Sequence, residues 1–423
     1  MKHHHAKIRE NANRYMMKSP DEEEVHFENV CSAYRSYSKF AMSRWTEHQH
    51  RLQALANPQR RRKLLPDGLI TTTDEYTKRF QNYKEAVICN QFCLDCILRF
   101  SGQPHSQQKK QGAFSSNSDE DMSKVSSCLK SLARDWSAEG KIERDMAYDP
   151  IKALIMKYLP IRSHTQNDCD EKSLSATTIP KIQVPGGGVG RLAFDLAAMG
   201  YNVQGNDFSL YMLLASDFIL NNDICSPDRP LGICPWLLES RNIHKNEDKL
   251  RKLYVPDIDP KIIMRSRDGD QDNCISSESF SMAAGDFISI YSNPNEVGRW
   301  DCVASCFFLD ACPNIVETFE VIYNMLKPGG LFVNLGPLMY HWSGPAMRPG
   351  ESITEFRNRY DHLDDRYFTS IDLSYEDVKE ILMNVGFHIL EESLGLKCYY
   401  TADRKSMMNT EFRCVSFAAQ KSW

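Results

Sequence analysis

"IQVPGGGVGRLAFDLAAMGYNVQGNDFS", running from Ile182 to Ser209, is the stretch on which the fold turns. A short apolar run meets Gly186, Gly188 and Gly190, an amphipathic segment "RLAFDLAAMG" follows, and a second apolar run ends at Asp207. In a strand, turn, helix context, glycines let the backbone approach a ligand closely, and the helix N-terminus offers N–H groups without helical partners. Asp207 closes the second strand about 20 residues after Gly186, where a carboxylate can accept both ribose hydroxyl hydrogens. NAD, FAD and S-adenosylmethionine sites share such a turn. The stretch therefore specifies a nucleoside and leaves its identity open.

Outward from it, β-rich runs alternate with helical ones: Lys181 to Val184, Asn202 to Gly205, Ser281 to Ala284, Cys302 to Phe307 and Leu331 to Leu335. Alternation of this kind predicts a parallel sheet with crossover helices. Two closing runs, Leu394 to Tyr400 and Phe412 to Ala419, read as an antiparallel pair. The fold class is α/β: a mostly parallel sheet with a C-terminal antiparallel strand, plus an N-terminal helical domain. Residues 1–18 read as a disordered tail, 19–160 as the helical domain and 179–423 as the sheet domain, with surface insertions near 265–279 and 343–369. Another polar insertion is expected at 163–178.

The helical domain starts at "SPDEEE", with Ser19 as cap, Pro20 at the first helical position and Glu22 closing the capping box. Phe27, Val30, Cys31, Tyr34, Tyr37, Ala41, Trp45, His48, Leu52 and Leu55 then recur at helical spacing until Asn57-Pro58. This aromatic stripe reads as core, with a part in a lid over the site as the other reading. A second helix begins near Thr72, with Tyr76, Phe80, Tyr83 and Val87 on one face. Residues 101–120 are polar and low in complexity and read as a flexible linker. Two more helices are expected near 121–139 and 142–158.

A formal net charge of −5 supplies no basic field for a nucleic acid. No apolar run reaches the roughly 18 residues of a membrane span, and the N-terminus has no signal-peptide core. A cytoplasmic location is expected, and the basic run Arg60 to Lys63 reads either as a nuclear address or as a solvated turn. The fourteen cysteines are scattered, which suits reduced thiols. Cys89, Cys93 and Cys96 share a helix face and read as core thiols, since no second ligand pair completes a metal site. No metal is expected; a homodimer is left open.

Three later features favour a methyl donor. "AAGDF" places Asp286 and Phe287 just past the third strand, a polar and aromatic pair suited to an adenine edge and face. "LKPGG" at 326–330 turns a helix directly into the fifth strand, and the closing antiparallel pair resembles the ending of class I S-adenosylmethionine methyltransferases. Dehydrogenases usually continue with a second βαβ half instead. One departure is Val184, two residues before the first glycine, where those methyltransferases often carry an acid.

"ARDWSAEGKIERD", "SMAAGDF", "WDCVASCFFLDACPNIVETFE" and "LKPGGLFVNLGPLMYHW", taken with the opening stretch, resemble the carnosine N-methyltransferases over roughly residues 20–420. The resemblance implies a Rossmann-like sheet, S-adenosylmethionine as cofactor and a small-molecule substrate, carnosine (β-alanyl-histidine), methylated on its imidazole to give anserine. Related His-containing dipeptides remain open as acceptors. Position by position, it puts Arg134 on the cofactor carboxylate, Gly186 and Gly188 on the turn, Asp207 on ribose, Asp286 and Phe287 on adenine, and Cys306 at the strand edge beside the cofactor. For the substrate it points to Asp310, His341 and Tyr400. Two departures stand out: Ser131 replaces a glutamine one turn before Arg134, and Phe412 replaces a substrate-contacting tyrosine and lacks its hydroxyl.

The chemistry follows from the residues themselves. Neutral imidazole, with a reference pKa of about 6.5, already carries a nucleophilic lone pair. It needs the correct tautomer and an in-line approach, which is catalysis by positioning. Asp310, at the C-terminal end of the fourth sheet strand, is placed to hold the opposite N–H, with His341 hydrogen-bonding the substrate. Plainer readings stay open: Asp310 as cap of the helix near Pro313, His341 as a loop histidine, Cys306 as a small strand residue and Tyr400 as strand packing. A protein histidine as acceptor, or a non-catalytic methyltransferase-like scaffold, are the alternative functions.

Overall fold

The structure, a computed structural model, describes residues 20–57, 59–102, 118–161, 179–261, 279–342, 346–361 and 368–423. Most of the linker, the stretch 163–178 and nearly all of insertion 265–279, together with the tail before residue 20, lie outside the described residues.

Seven strands form one sheet in the order β5-β2-β1-β6-β7-β9-β8. They are β1 (Lys181–Pro185), β2 (Asn202–Asp207), β5 (Phe280–Ala284), β6 (Trp300–Cys306), β7 (Leu326–Gly336), β8 (Phe387–Tyr399) and β9 (Glu411–Lys421). Central β1 pairs parallel with β2 (Ile182 with Val203) and with β6 (Ile182 with Cys302). Ile182, Gln183 and Val184 are buried, as expected of a parallel strand covered on both faces. β9 runs antiparallel to both β7 and β8, from Leu331 opposite Gln420 to Gly336 opposite Val415 on the β7 side. The predicted α/β class, with its C-terminal antiparallel strand, is the observed one. Strand order reverses beside β1, and the C-terminal edge there is where such sheets hold ligands.

The chain groups into two compact units that are interleaved in sequence. One comprises Met1–Arg144, Ser209–Arg265 and Tyr400–Thr410; the other comprises Asp145–Phe208, Ser266–Tyr399 and Glu411–Trp423. The linear reading had instead set a helical domain at 19–160 before a sheet domain at 179–423.

In the first unit, α1 (Pro20–Leu55), α2 (Asp74–Phe100) and α3 (Asp119–Trp136) supply the helices expected upstream, and α6 (Leu210–Asn221) joins them. The aromatic stripe of α1 is core: Val30, Tyr34, Tyr37 and Ala41 are fully buried, and Trp45 packs on Tyr76, Phe80 and Tyr83. Tyr34 donates to the carbonyl of Tyr211 at 2.6 Å, so the stripe also carries a polar tie to α6. Ser118 and Asp121 close a capping box at α3. A two-stranded ribbon, β3 (Leu231–Ile233) with β4 (Leu253–Val255), was not foreseen. Asn90 of α2 holds it through both the N–H and the carbonyl of Cys234.

In the second unit, α4 (Lys141–Tyr158) supplies its residues from Asp145 onward, and α5 (Arg191–Ala198) follows β1. The core there gathers Ile151, Ile155, Ile182, Val184, Leu192, Leu196, Val203, Val333 and Leu335. The short helix α7 (Phe287–Tyr291) follows β5, and α8 (Ile315–Met325) runs straight into β7 as "LKPGG" predicts. Within the second insertion, α9 (Ile353–Arg359) forms behind a Ser352–Glu355 capping box. No helix among the described residues is long and apolar enough to cross a membrane.

Candidate active site

The glycines of the turn are required by conformation. Gly186, Gly188 and Gly190 sit at φ of 63°, 55° and 86°, in the left-handed region that L-residues avoid. A Cβ on Gly186 would also lie 2.9 Å from Cδ2 of Phe308. The Gly187 N–H donates to the carbonyl of Asn206 at 2.8 Å, and the Gly188 N–H donates to Oδ2 of Asp207 at 2.8 Å. Asp207 thus closes the turn that its own strand end faces, a second duty beyond the ribose contact expected of it. Helix α5 starts at Gly190 with no side chain capping its N-terminus. Asn206 donates to the carbonyl of Gly285 at 2.9 Å, tying the end of β2 to the end of β5.

Beyond β5, Oδ1 of Asp286 accepts from the N–H of Ser289 at 3.0 Å and caps α7. Phe287 is buried, 5.0 Å from the ring of Tyr291 and edge-on to Phe308 at 5.4 Å. The pair expected at adenine is therefore set rigidly, and Phe308 bridges it to the glycine turn. Sequence reasoning did not single out Phe308, whose only signal was its place in "CFFLD".

On the acceptor side, β6 ends at Cys306, half-buried opposite Leu335. The chain then turns sharply: Phe307 has φ of 52° and donates its N–H to Leu335 at 2.9 Å. Asp310 follows in a single 3-10 turn, 2% exposed. Its Oδ2 accepts the Met339 N–H at 3.4 Å and stands 3.8 Å from Nε2 of His341, whose side chain is 63% exposed. The carbonyl of Asp310 accepts the His341 N–H at 2.9 Å, so these two residues are also joined through the backbone. Burial pushes the Asp310 carboxyl above its ordinary range, and the His341 ring and the Met339 N–H pull the other way. The reading of Asp310 as a helix cap is excluded, because Asn314 caps α8 through the N–H groups of Val316 and Glu317. Phe412, on β9, lies edge-on to Phe307 with ring centroids 5.7 Å apart.

The remaining expected residues lie in the first unit. Ser131 is buried on α3, and Arg134 follows one turn later. Asp135 takes the Nε and Nη2 edge of Arg134 at 2.7 and 2.8 Å, fixing the guanidinium plane. The guanidinium carbon of Arg134 stands 4.6 Å from the ring centroid of Tyr400. Tyr400 lies one residue past the end of β8, half-exposed, and Thr401 follows with φ of 51°.

The family pattern of the carnosine N-methyltransferases matches residues 111–423, a span that contains every residue of both clusters. The chain belongs to the carnosine N-methyltransferase family. It is 34% identical to the carnosine N-methyltransferase of Rattus norvegicus over 94% of this chain and 86% of that protein. It is likewise 34% identical to the Mus musculus enzyme with the same coverage, and 29% identical to the Drosophila melanogaster protein over 99% of this chain and 84% of that one. A solved SAM-dependent methyltransferase from Methanosarcina mazei is similar at 14% identity and a TM-score of 0.31, covering 58% of this chain and 93% of that one. Membership of the carnosine N-methyltransferase family makes the protein an enzyme of the methyltransferase class, as the sequence motifs imply.

Two residues inside the family's own motif escaped sequence reasoning. Asp135 orients Arg134 from the adjacent position. Glu143, in the first turn of α4, is 5% exposed. Its signal was available: Glu143, Ala147, Ile151 and Ile155 recur every fourth residue, so a carboxylate occupies the buried stripe of its helix.

Proposed function

We propose that this member of the carnosine N-methyltransferase family transfers the methyl group of S-adenosylmethionine to the imidazole ring of carnosine, giving anserine, with related His-containing dipeptides as further acceptors. The observation that carries the reading is the buried carboxylate of Asp310 at the ligand edge of the sheet, 3.8 Å from His341. The donor is favoured by the glycine cradle, whose Gly186 has no room for a Cβ beside Phe308, and by the Asp207 carboxylate next to it.

When bound, S-adenosylmethionine supplies an electrophilic methyl carbon on a sulfonium. The chain's residues do the rest. Gly186, Gly188 and Asp207 bind the nucleoside, with Asp286 and Phe287 on adenine and Cys306 beside it. Arg134, held in plane by Asp135, takes the donor carboxylate. Ser131 stands where a longer amide would reach further, so less of that end is held by hydrogen bonds. Asp310 accepts one N–H of the imidazole, which fixes the tautomer and turns the other ring nitrogen toward the methyl group. Transfer of that methyl group to the exposed ring nitrogen would leave the ring cationic. The buried Asp310 carboxylate would stabilise that charge more strongly than a solvated one could and then accept the ring's remaining N–H proton. His341 hydrogen-bonds the dipeptide beside Phe412, and the family resemblance assigns Tyr400 to the dipeptide as well.

The deciding experiment incubates the protein with methyl-labelled S-adenosylmethionine and carnosine, homocarnosine, Gly-His, free histidine or a histidine-bearing protein. Label on carnosine, with the methyl placed on an imidazole nitrogen by NMR, is the expected result. Label on the protein alone would replace the dipeptide by a protein histidine, and label on nothing would favour a binding scaffold.

A further inference from the structure

Glu143 is a buried carboxylate that no step of the proposed reaction uses. Oε1 accepts the Ala402 N–H at 3.2 Å, and the N–H of Thr401 faces the same carboxylate. Oε2 is buried with no hydrogen-bond partner. An unsatisfied buried carboxylate oxygen is costly, so its presence asks for a compensating role. The surroundings supply one. Thr401, directly after Tyr400, is held in the left-handed region, where a non-glycine residue persists only if its neighbours enforce it. Glu143 grips the corner on both sides of that bend. Arg134, the cation lying over the Tyr400 ring, also offsets the Glu143 charge, while Asp135 opposes it.

The approach is built into the connection between the helices. A Cβ on Gly140 would fall 2.0 Å from the carbonyl of Arg134, so only glycine lets the turn pass there. Arg144, next to Glu143, donates to the same carbonyl at 2.6 Å and pairs with Asp257. The first turn of α4 is thereby fastened beneath the end of α3, and Glu143 is delivered to the Tyr400 corner.

We infer that Glu143 is a positioning residue: by clamping the Thr401 and Ala402 amides it fixes Tyr400 against Arg134 and so governs acceptor binding rather than cofactor binding. The inference rests on the reading above of Tyr400 as an acceptor contact and Arg134 as a cofactor contact. The test compares wild type with Glu143→Ala, Glu143→Gln and Glu143→Asp. It reads cooperative melting, amide hydrogen exchange over residues 399–403, the Kd for S-adenosylmethionine by calorimetry, and KM and kcat for carnosine.

In Glu143→Ala, exchange over the corner should accelerate at least tenfold and the KM for carnosine rise about tenfold, with kcat and the cofactor Kd within about threefold of wild type. Glu143→Gln, which keeps one acceptor oxygen, should recover part of both effects; if the alanine variant does not fold, the Gln and Asp variants carry the same comparison. Unchanged exchange, unchanged KM in a folded variant, or a cofactor Kd that rises in step with KM overturns the inference. If wild type methylates none of the dipeptides, it is the substrate reading that fails, and the exchange arm alone then decides whether Glu143 positions the corner.

Discussion

Asp310 carries a burial cost that its proposed chemistry explains. Its carboxyl is raised above the usual value of 3.8, chiefly by desolvation. A folded-state pKa above the unfolded one means that the unfolded chain binds fewer protons through that window. Stability contributed by this group is therefore highest below pH 3.8, falls as pH rises through the folded value, and stays reduced at neutral pH. Asp310→Asn should then raise Tm at pH 7 while lowering kcat/KM, the loss being about 1.5–3 kcal/mol, or roughly 10- to 150-fold, for a hydrogen bond to a charged group. Melting scans and methyl transfer on one preparation check both signs. The acid limb of kcat/KM should lie above the ordinary carboxylate range in wild type and shift or vanish in the variant; wild-type turnover in Asp310→Asn would falsify its role. At the other wall, Phe412→Tyr restores a hydroxyl and should lower the KM for carnosine about fivefold, equivalent to about 1 kcal/mol. Asp310, His341 and Phe412 were singled out because each sits in a short string that resembles the family's own. Glu143 was not, since a glutamate in a helix's first turn reads as a favourable dipole charge until its burial is known.

At the scale of elements, the glycine turn is the most sharply constrained piece. Gly186→Ala forces a side chain into φ of 63° and against Phe308. The left-handed conformation alone costs roughly 1–2 kcal/mol, and the crowding displaces the ring that supports Phe287. Such a variant should melt lower than wild type and bind S-adenosylmethionine at least tenfold more weakly by calorimetry. Wild-type affinity in a folded Gly186→Ala protein would remove the turn from the cofactor site. β1, β2, β5, β6 and β7 could be read from sequence because their apolar runs are bounded by turn residues. The ribbon of β3 and β4 could not, since three-residue strands carry too little periodicity. The end of β8 was read one residue long because Tyr399 and Tyr400 look alike in sequence, while the bend at Thr401 is imposed by a partner far along the chain, Glu143.

For the whole molecule, binding energy should appear as stability. A ligand that binds only the folded state adds about 2.7 kcal/mol at a hundredfold excess over its Kd. S-adenosylmethionine and S-adenosylhomocysteine should therefore raise Tm, and NAD at the same concentration should not. Equal shifts from both nucleotides would contradict the proposed donor. The two units could not be drawn from a linear reading, because apolar periodicity reports which face is buried and not which segment buries it. Interleaving also sets a timetable for the chain. The first unit begins with α1 but is completed by Tyr400–Thr410. At synthesis rates of about 5–20 residues per second, its helices wait on the order of tens of seconds for their last segment. The stripe of α1 need not wait for it: Tyr34 and Tyr37 are tied to Tyr211 and Asn90, which are made long before that segment, so the helices of the first unit can gather early and the Tyr400–Thr410 corner is the piece that joins them last.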